Sequence, residues 1–105
     1  MGLRGRKDYA DGRYTLAFLG YGSPEARGPE IELTHNWDGR TYDRGDGFGH
    51  LAMFVDGISA FVGRLQGAGV RVTRAPGPRT DEPDQIIAFI EDPDGYAIEL
   101  IQRPG

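Results

Sequence analysis

The sequence predicts an α+β fold with a partly duplicated strand unit, on three observations. Apolar residues come in short runs that alternate with polar ones, the period-2 pattern of half-buried strands. Glycine supplies 17 of the 105 residues, scattered between those runs, which marks many turns and so many short strands. One stretch breaks the pattern: Ile58, Phe61, Val62 and Leu65 fall at i, i+3, i+4 and i+7, the spacing of a helix packing one apolar stripe on a sheet.

Each element follows from local chemistry. Residues 1–13 are polar and end in the turn signal Asp11-Gly12. Tyr14 to Leu19 is a strand by β-propensity, and Tyr21 to Pro29 a Gly/Pro loop. Glu30 to Asn36 alternates, with Ile31 and Leu33 on one face and Glu32, Thr34 and Asn36 on the other. Residues 37–48 form a long polar loop, a kind often functional in a small domain. Gly49 to Val55 is a strand with Leu51, Met53 and Val55 on one face and His50, Ala52 and Phe54 on the other. Asp56 is placed to cap the helix, and Gly67 and Gly69 to stop it. Val70 to Thr73 is a short strand, and 75–84 a Pro-rich loop. Gln85 to Glu91 and Tyr96 to Gln102 are strands joined by the turn Asp92-Pro-Asp-Gly95.

The tripeptide Ile-Glu-Leu occurs at 31–33 and again at 98–100, each time mid-strand after another strand and a Gly-containing turn. From Gly49 the order is β-α-β-β-β; before it stand only two strands. The chain is therefore expected to be a single domain over 1–105, with a partial first module (1–36) and a complete second one (49–102). His50 opens the second module, 49 residues before Glu99. The same step back from Glu32 passes the first residue, so the matching strand of the first module is expected to lie before Met1.

Composition removes several function classes. Hydrophobic content of 38% and charged content of 27% suit a soluble globular chain. The net charge is −4, and the only basic cluster, Arg4, Arg6 and Lys7, is too short to argue for nucleic acid. There is no signal-like stretch and no apolar run of membrane-spanning length. Cysteine is absent, which removes disulfides, thiol nucleophiles and cysteine zinc sites, and the expected compartment is the cytoplasm. No GxSxG, Walker A or dinucleotide fingerprint stands where its mechanics need it.

Three residues remain as candidates for chemistry. Glu99 shares its strand face with Ala97 and Ile101, where a carboxylate must be paired, solvated or metal-bound. Glu32 lies on a face that reads as simply polar, and His50 on one shared with Ala52 and Phe54. Singly, each has an ordinary reading: an ion pair, a solvated strand face, a hydrogen-bonded core histidine. Together, one imidazole and two carboxylates suit an open octahedral site for Ni²⁺, Co²⁺, Mn²⁺ or Zn²⁺. His35 alternates to the face opposite Glu32, which makes it a poor fourth ligand.

The stretches YTLAFLGYG, EIELTHNWDGRTYDRGDGFGHLAM, GAGVRVTRAPGP and IAFIEDPDGYAIELI resemble bacterial glyoxalase I over nearly the whole chain. The resemblance implies the vicinal oxygen chelate fold, paired βαβββ modules curved around one metal, and commonly a homodimer. It implies metal ligands at Glu32, His50 and Glu99, with Glu99 also the proton-transfer base. It implies glutathione contacts at Asn36 and, in the Pro-rich loop, Arg79. The fourth ligand, a first-module His, has no counterpart in the chain. The implied reaction is isomerisation of the hemithioacetal of methylglyoxal and glutathione to S-lactoylglutathione with Ni²⁺ or Zn²⁺. Two alternatives stand beside it: a non-catalytic small-molecule-binding module, and a truncated gene product whose full form begins ~25–30 residues upstream, the size of one strand and one helix.

Overall fold

The alternating runs fold into seven strands and one helix: β1 (Gly2–Tyr9), β2 (Tyr14–Gly20), β3 (Glu30–Asn36), β4 (Leu51–Val55), α1 (Ile58–Gly67), β5 (Val72–Pro78), β6 (Ile86–Glu91) and β7 (Ala97–Gln102). This computed structural model describes residues 1–104. The chain divides into two compact units, Met1–Asp43 and the part from Arg44 onward. The α+β class and the β-α-β-β-β order of the second unit are as expected from the sequence.

The first unit is an antiparallel sheet in the order β1-β2-β3. It has three strands, not the two expected. The polar lead-in is itself a strand, whose alternation is hidden because Arg4, Arg6, Lys7 and Asp8 occupy it. An edge strand tolerates such charges, since only one side of its backbone is paired and its side chains reach water. Tyr9 stands opposite Tyr14, and their rings stack with centroids 4.8 Å apart. A register shift at Arg4 turns that side chain inward, where it is 5% exposed and holds the 21–29 loop through the carbonyls of Pro24 and Ala26 and the Glu30 carboxylate. Beyond β3, Trp37 donates its indole N–H to the Thr15 hydroxyl (2.9 Å), which donates to Asp8 (2.7 Å).

The second unit is a four-stranded sheet in the order β4-β7-β6-β5, with β4 parallel to β7 and the other pairs antiparallel. The long connection that a parallel pair requires runs through α1, β5 and β6. Its stripe packs as expected: Ile58 and Val62 are buried with Val55, Ala88, Ile90 and Leu100, and Phe61 and Leu65 flank them. Leu100, at 1% exposed, anchors this core from the strand that also carries Glu99.

Two expectations are corrected here. Asp56 does not cap α1; the N-cap is Gly57, and the Ile58 N–H donates instead to the side-chain carbonyl of Gln102 on β7 (2.8 Å), while Asp56 pairs with Arg103. A long-range acceptor has replaced the local one. Nor is the segment from Ala75 a loop: β5 runs through Pro78, because it is the sheet edge, where a missing N–H is tolerated, and bulges absorb the misfit. The helix ends as expected. Gly69, at φ +89°, turns the chain and donates its N–H to the Gln66 carbonyl.

Candidate functional site

The parallel pairing of β4 with β7 brings His50 to Glu99. His50 is the residue just before the first paired position, Leu51 opposite Ile98, and Glu99 lies opposite Ala52. The imidazole Nε2 and the carboxylate Oε1 are 3.2 Å apart. The two differ in setting: the His50 side chain is 42% exposed, the Glu99 side chain 14%. Glu99 is shielded because its other neighbour, across β6, is Phe89, whose ring also meets the His50 ring edge-on with centroids 5.3 Å apart. Strand alternation thus sends Ile98 and Leu100 into the core and turns Glu99 to the opposite face with Ala97 and Ile101.

In the first unit Glu32 has a phenylalanine as its cross-strand neighbour too, but it is exposed where Glu99 is largely covered. It lies opposite Phe18 on β2, with Thr34 opposite Leu16 and Asn36 opposite Tyr14. Its face is therefore mixed, not simply polar; β2 supplies apolar residues that the β3 sequence alone could not show. The likeness between the units extends to register. Ala17, Phe18 and Leu19 stand opposite Leu33, Glu32 and Ile31, as Ala88, Phe89 and Ile90 stand opposite Leu100, Glu99 and Ile98. The first strand of each meander carries a register shift at the matching place, after Leu3 and after Val72. Sequence reasoning missed the two phenylalanines. The signal was present as Ala-Phe-Leu at 17–19 and Ala-Phe-Ile at 88–90, a second repeated tripeptide beside Ile-Glu-Leu.

The other expected site residues are engaged locally. Asn36 donates its amide to the Tyr42 hydroxyl (2.6 Å). Arg79 bonds the Gln85 side chain (3.0 Å) and Asp81 (2.6 Å), so its charge is already partnered within its own loop. His35 lies opposite Thr15, on the face away from Glu32. Asp38 is gripped by Arg40, whose side-chain and backbone hydrogen bonds lower its carboxyl pKa to about 2.

Among the described residues no three His, Asp or Glu side chains gather into a preformed metal cluster. The His50–Glu99 pair nevertheless fits a divalent ion in its donor chemistry, an imidazole nitrogen beside a carboxylate oxygen. Two donors bound at about 2.1 Å and at right angles around one ion lie about 3 Å apart. The observed separation is close to that without rearrangement.

Comparisons with known proteins agree on one relationship. Residues 3–100 match the family described as the Glyoxalase/Bleomycin resistance protein/Dioxygenase superfamily. A probable lactoylglutathione lyase of Synechocystis sp. is 50% identical over 102 residues, covering 97% of this chain and 76% of the relative. The lactoylglutathione lyase of Neisseria meningitidis is 48% identical over 103 residues, covering 98% of this chain and 73% of the relative. Among solved structures, glyoxalase I from Zea mays superposes with a TM-score of 0.88 at 40% identity, over 99% of this chain and 36% of the maize chain. The chain thus spans about three quarters of the bacterial relatives and little over a third of the plant enzyme.

Proposed function

This chain belongs to the glyoxalase/bleomycin resistance protein/dioxygenase superfamily, and within it to the glyoxalase I family, and we propose that it acts in isomerising the hemithioacetal of methylglyoxal and glutathione to S-lactoylglutathione. The family is metal-dependent. The observation that carries the proposal is the His50–Glu99 pair, two donors 3.2 Å apart on adjacent strands, with the same Phe–Glu register repeated at Glu32.

We assign Glu32, His50 and Glu99 as the metal ligands of this chain. Ni²⁺ and Zn²⁺ both suit one imidazole and two carboxylates, with Co²⁺ and Mn²⁺ as further candidates. A divalent ion bound by such ligands would supply Lewis-acid polarisation of the substrate oxygens. Glu99 is assigned the base, moving a proton between the adjacent carbons of the hemithioacetal. Phe89 beside it helps cover the carboxylate, whose side chain is 14% exposed. Asn36 is assigned a glutathione contact, oriented by its bond to Tyr42. For Arg79 to reach a substrate carboxylate it must first exchange its Asp81 partner.

We further infer a homodimer. The first unit has three strands and no helix of its own among the described residues, and a second copy would supply cover. The cytoplasm is the proposed compartment, a reducing setting that suits a cysteine-free chain.

The test is turnover of the hemithioacetal with added Ni²⁺, Co²⁺ or Zn²⁺. Glu99→Gln is expected to lower kcat by about 10²–10⁴-fold. No turnover with any of the three metals would sink the enzyme reading. The second reading is a non-catalytic small-molecule-binding module of the same superfamily. Saturable binding of S-lactoylglutathione without turnover would establish it.

A further inference from the structure

His50 meets Glu99 and Phe89 at its ring, but no strand pairing holds its backbone. It precedes the β4–β7 ladder, whose first pair is Leu51 and Ile98. The chain reaches it through Gly45-Asp46-Gly47-Phe48-Gly49. Three of those five residues lack a side chain, so packing of this approach rests largely on Phe48. An imidazole on such a lead-in would sample many positions, while pairing with Glu99 requires one.

The packing partner of Phe48 is Tyr96, the residue before β7. The two rings meet edge-on with centroids 4.9 Å apart. From the other contact, the Arg44 guanidinium lies over the Tyr96 ring at 4.9 Å and donates to the Gly95 carbonyl at 2.7 Å. Tyr96 itself is fixed by the turn before it. The Asp92 carboxylate accepts the N–H groups of Asp94 (2.9 Å) and Tyr96 (2.8 Å), and the Asp92 N–H donates to the Tyr96 carbonyl. Gly95 sits there at φ +89°, a backbone conformation in which a side chain would be strained. A rigid turn therefore presents an aromatic ring three residues before Glu99, and that ring takes hold of the incoming chain two and six residues before His50.

We propose that Tyr96, gripped by Arg44 and Phe48, is a positioning residue that sets His50 beside Glu99. It touches neither donor atom; it acts through the backbone that carries the imidazole. The inference rests on the reading of His50 and Glu99 as metal ligands. Residues that orient first ligands typically change metal affinity by about 10–100-fold when removed.

Two measurements on the full chain test it. In metal-free protein, nuclear Overhauser contacts between the His50 and Phe89 rings report where the imidazole sits. Competition with a chromophoric chelator gives the Ni²⁺ affinity. Tyr96→Ala should weaken the ring contacts and lower the affinity by about tenfold or more. Tyr96→Phe should preserve both, because the ring and not the hydroxyl meets Arg44 and Phe48. Arg44→Ala, a change at an exposed residue that leaves the core intact, should lower the affinity in the same direction, and it decides the matter if Tyr96→Ala does not fold. His50→Ala separates the two layers of the argument. If it leaves Ni²⁺ binding unchanged, the ligand reading falls, and the ring contacts alone judge the positioning role. If it abolishes binding while Tyr96→Ala and Arg44→Ala bind like wild type, the positioning role is overturned and the ligand reading stands. Unchanged His50–Phe89 contacts in Tyr96→Ala also overturn it.

Discussion

At the scale of single residues, the chain contrasts carboxylates whose surroundings are local with carboxylates whose surroundings come from afar. Asp38 is of the first kind. Arg40, two residues on, holds its pKa near 2, below the usual 3.8. A lowered folded value means that the contact favours the folded loop above pH 3.8 and is lost as pH falls through about 2. The group is fully exposed, so the consequence is local. A carboxyl-detected NMR titration is expected to place the Asp38 midpoint near 2, and a midpoint near 3.8 would show that the Arg40 grip does not persist in solution. Glu32 and Glu99 are of the second kind. Alternation along β3 and β7 placed them on a strand face correctly, but their neighbours Phe18 and Phe89 come from adjacent strands, and of the two only Glu99 is covered. His50 was readable as a residue type, but it lies just before β4 and not within the strand expected from Gly49, and its approach to Glu99 depends on a parallel pairing that no local pattern announces.

At the scale of elements, helix α1 shows where local rules stop. Its stripe and its glycine stop were readable from spacing, because they are properties of one contiguous segment. Its cap was not. Asp56 is a good capping residue in a suitable place, yet the Ile58 N–H is satisfied by Gln102, distant by 44 positions. Gln102→Ala is therefore expected to destabilise the protein by about 1 kcal/mol, the ordinary worth of a lost cap. Asp56→Ala, which removes only an exposed ion pair with Arg103, should cost about 0.5 kcal/mol or less. Urea unfolding of the two variants checks the order, and a larger loss in Asp56→Ala would restore the local cap. The edge strands β1 and β5 make the same point. Charges in one and prolines in the other mask the strand signal, and both are tolerated because an edge strand bonds on one side only.

At the scale of the whole molecule, the apolar core is unevenly distributed. All the buried hydrophobic residues among those described belong to the unit from Arg44 onward, where α1 covers the sheet. The β1–β3 sheet has no such cover within its own unit. Amide exchange is expected to follow this division, with β6 and β7 slowest and β2 and β3 faster by about tenfold or more at low protein concentration. Equal protection at high dilution would contradict it. Protection of β2 and β3 that rises with concentration would show a second copy supplying the cover, as the proposed dimer requires.

Legible from the residues alone are the periodicities, strands at period 2 and one helix at 3.6, the duplicated Ile-Glu-Leu that marks the repeat, and the longer stretches that carry the family resemblance. These depend on neighbours in the chain, so they survive without coordinates. Only the tertiary structure decided that Phe18 and Phe89 stand against the two glutamates, that Gln102 caps the helix, and that Tyr96 grips the approach to His50. Each is a contact between different elements. Strand order and register set such contacts, and a single strand's alternation leaves both open.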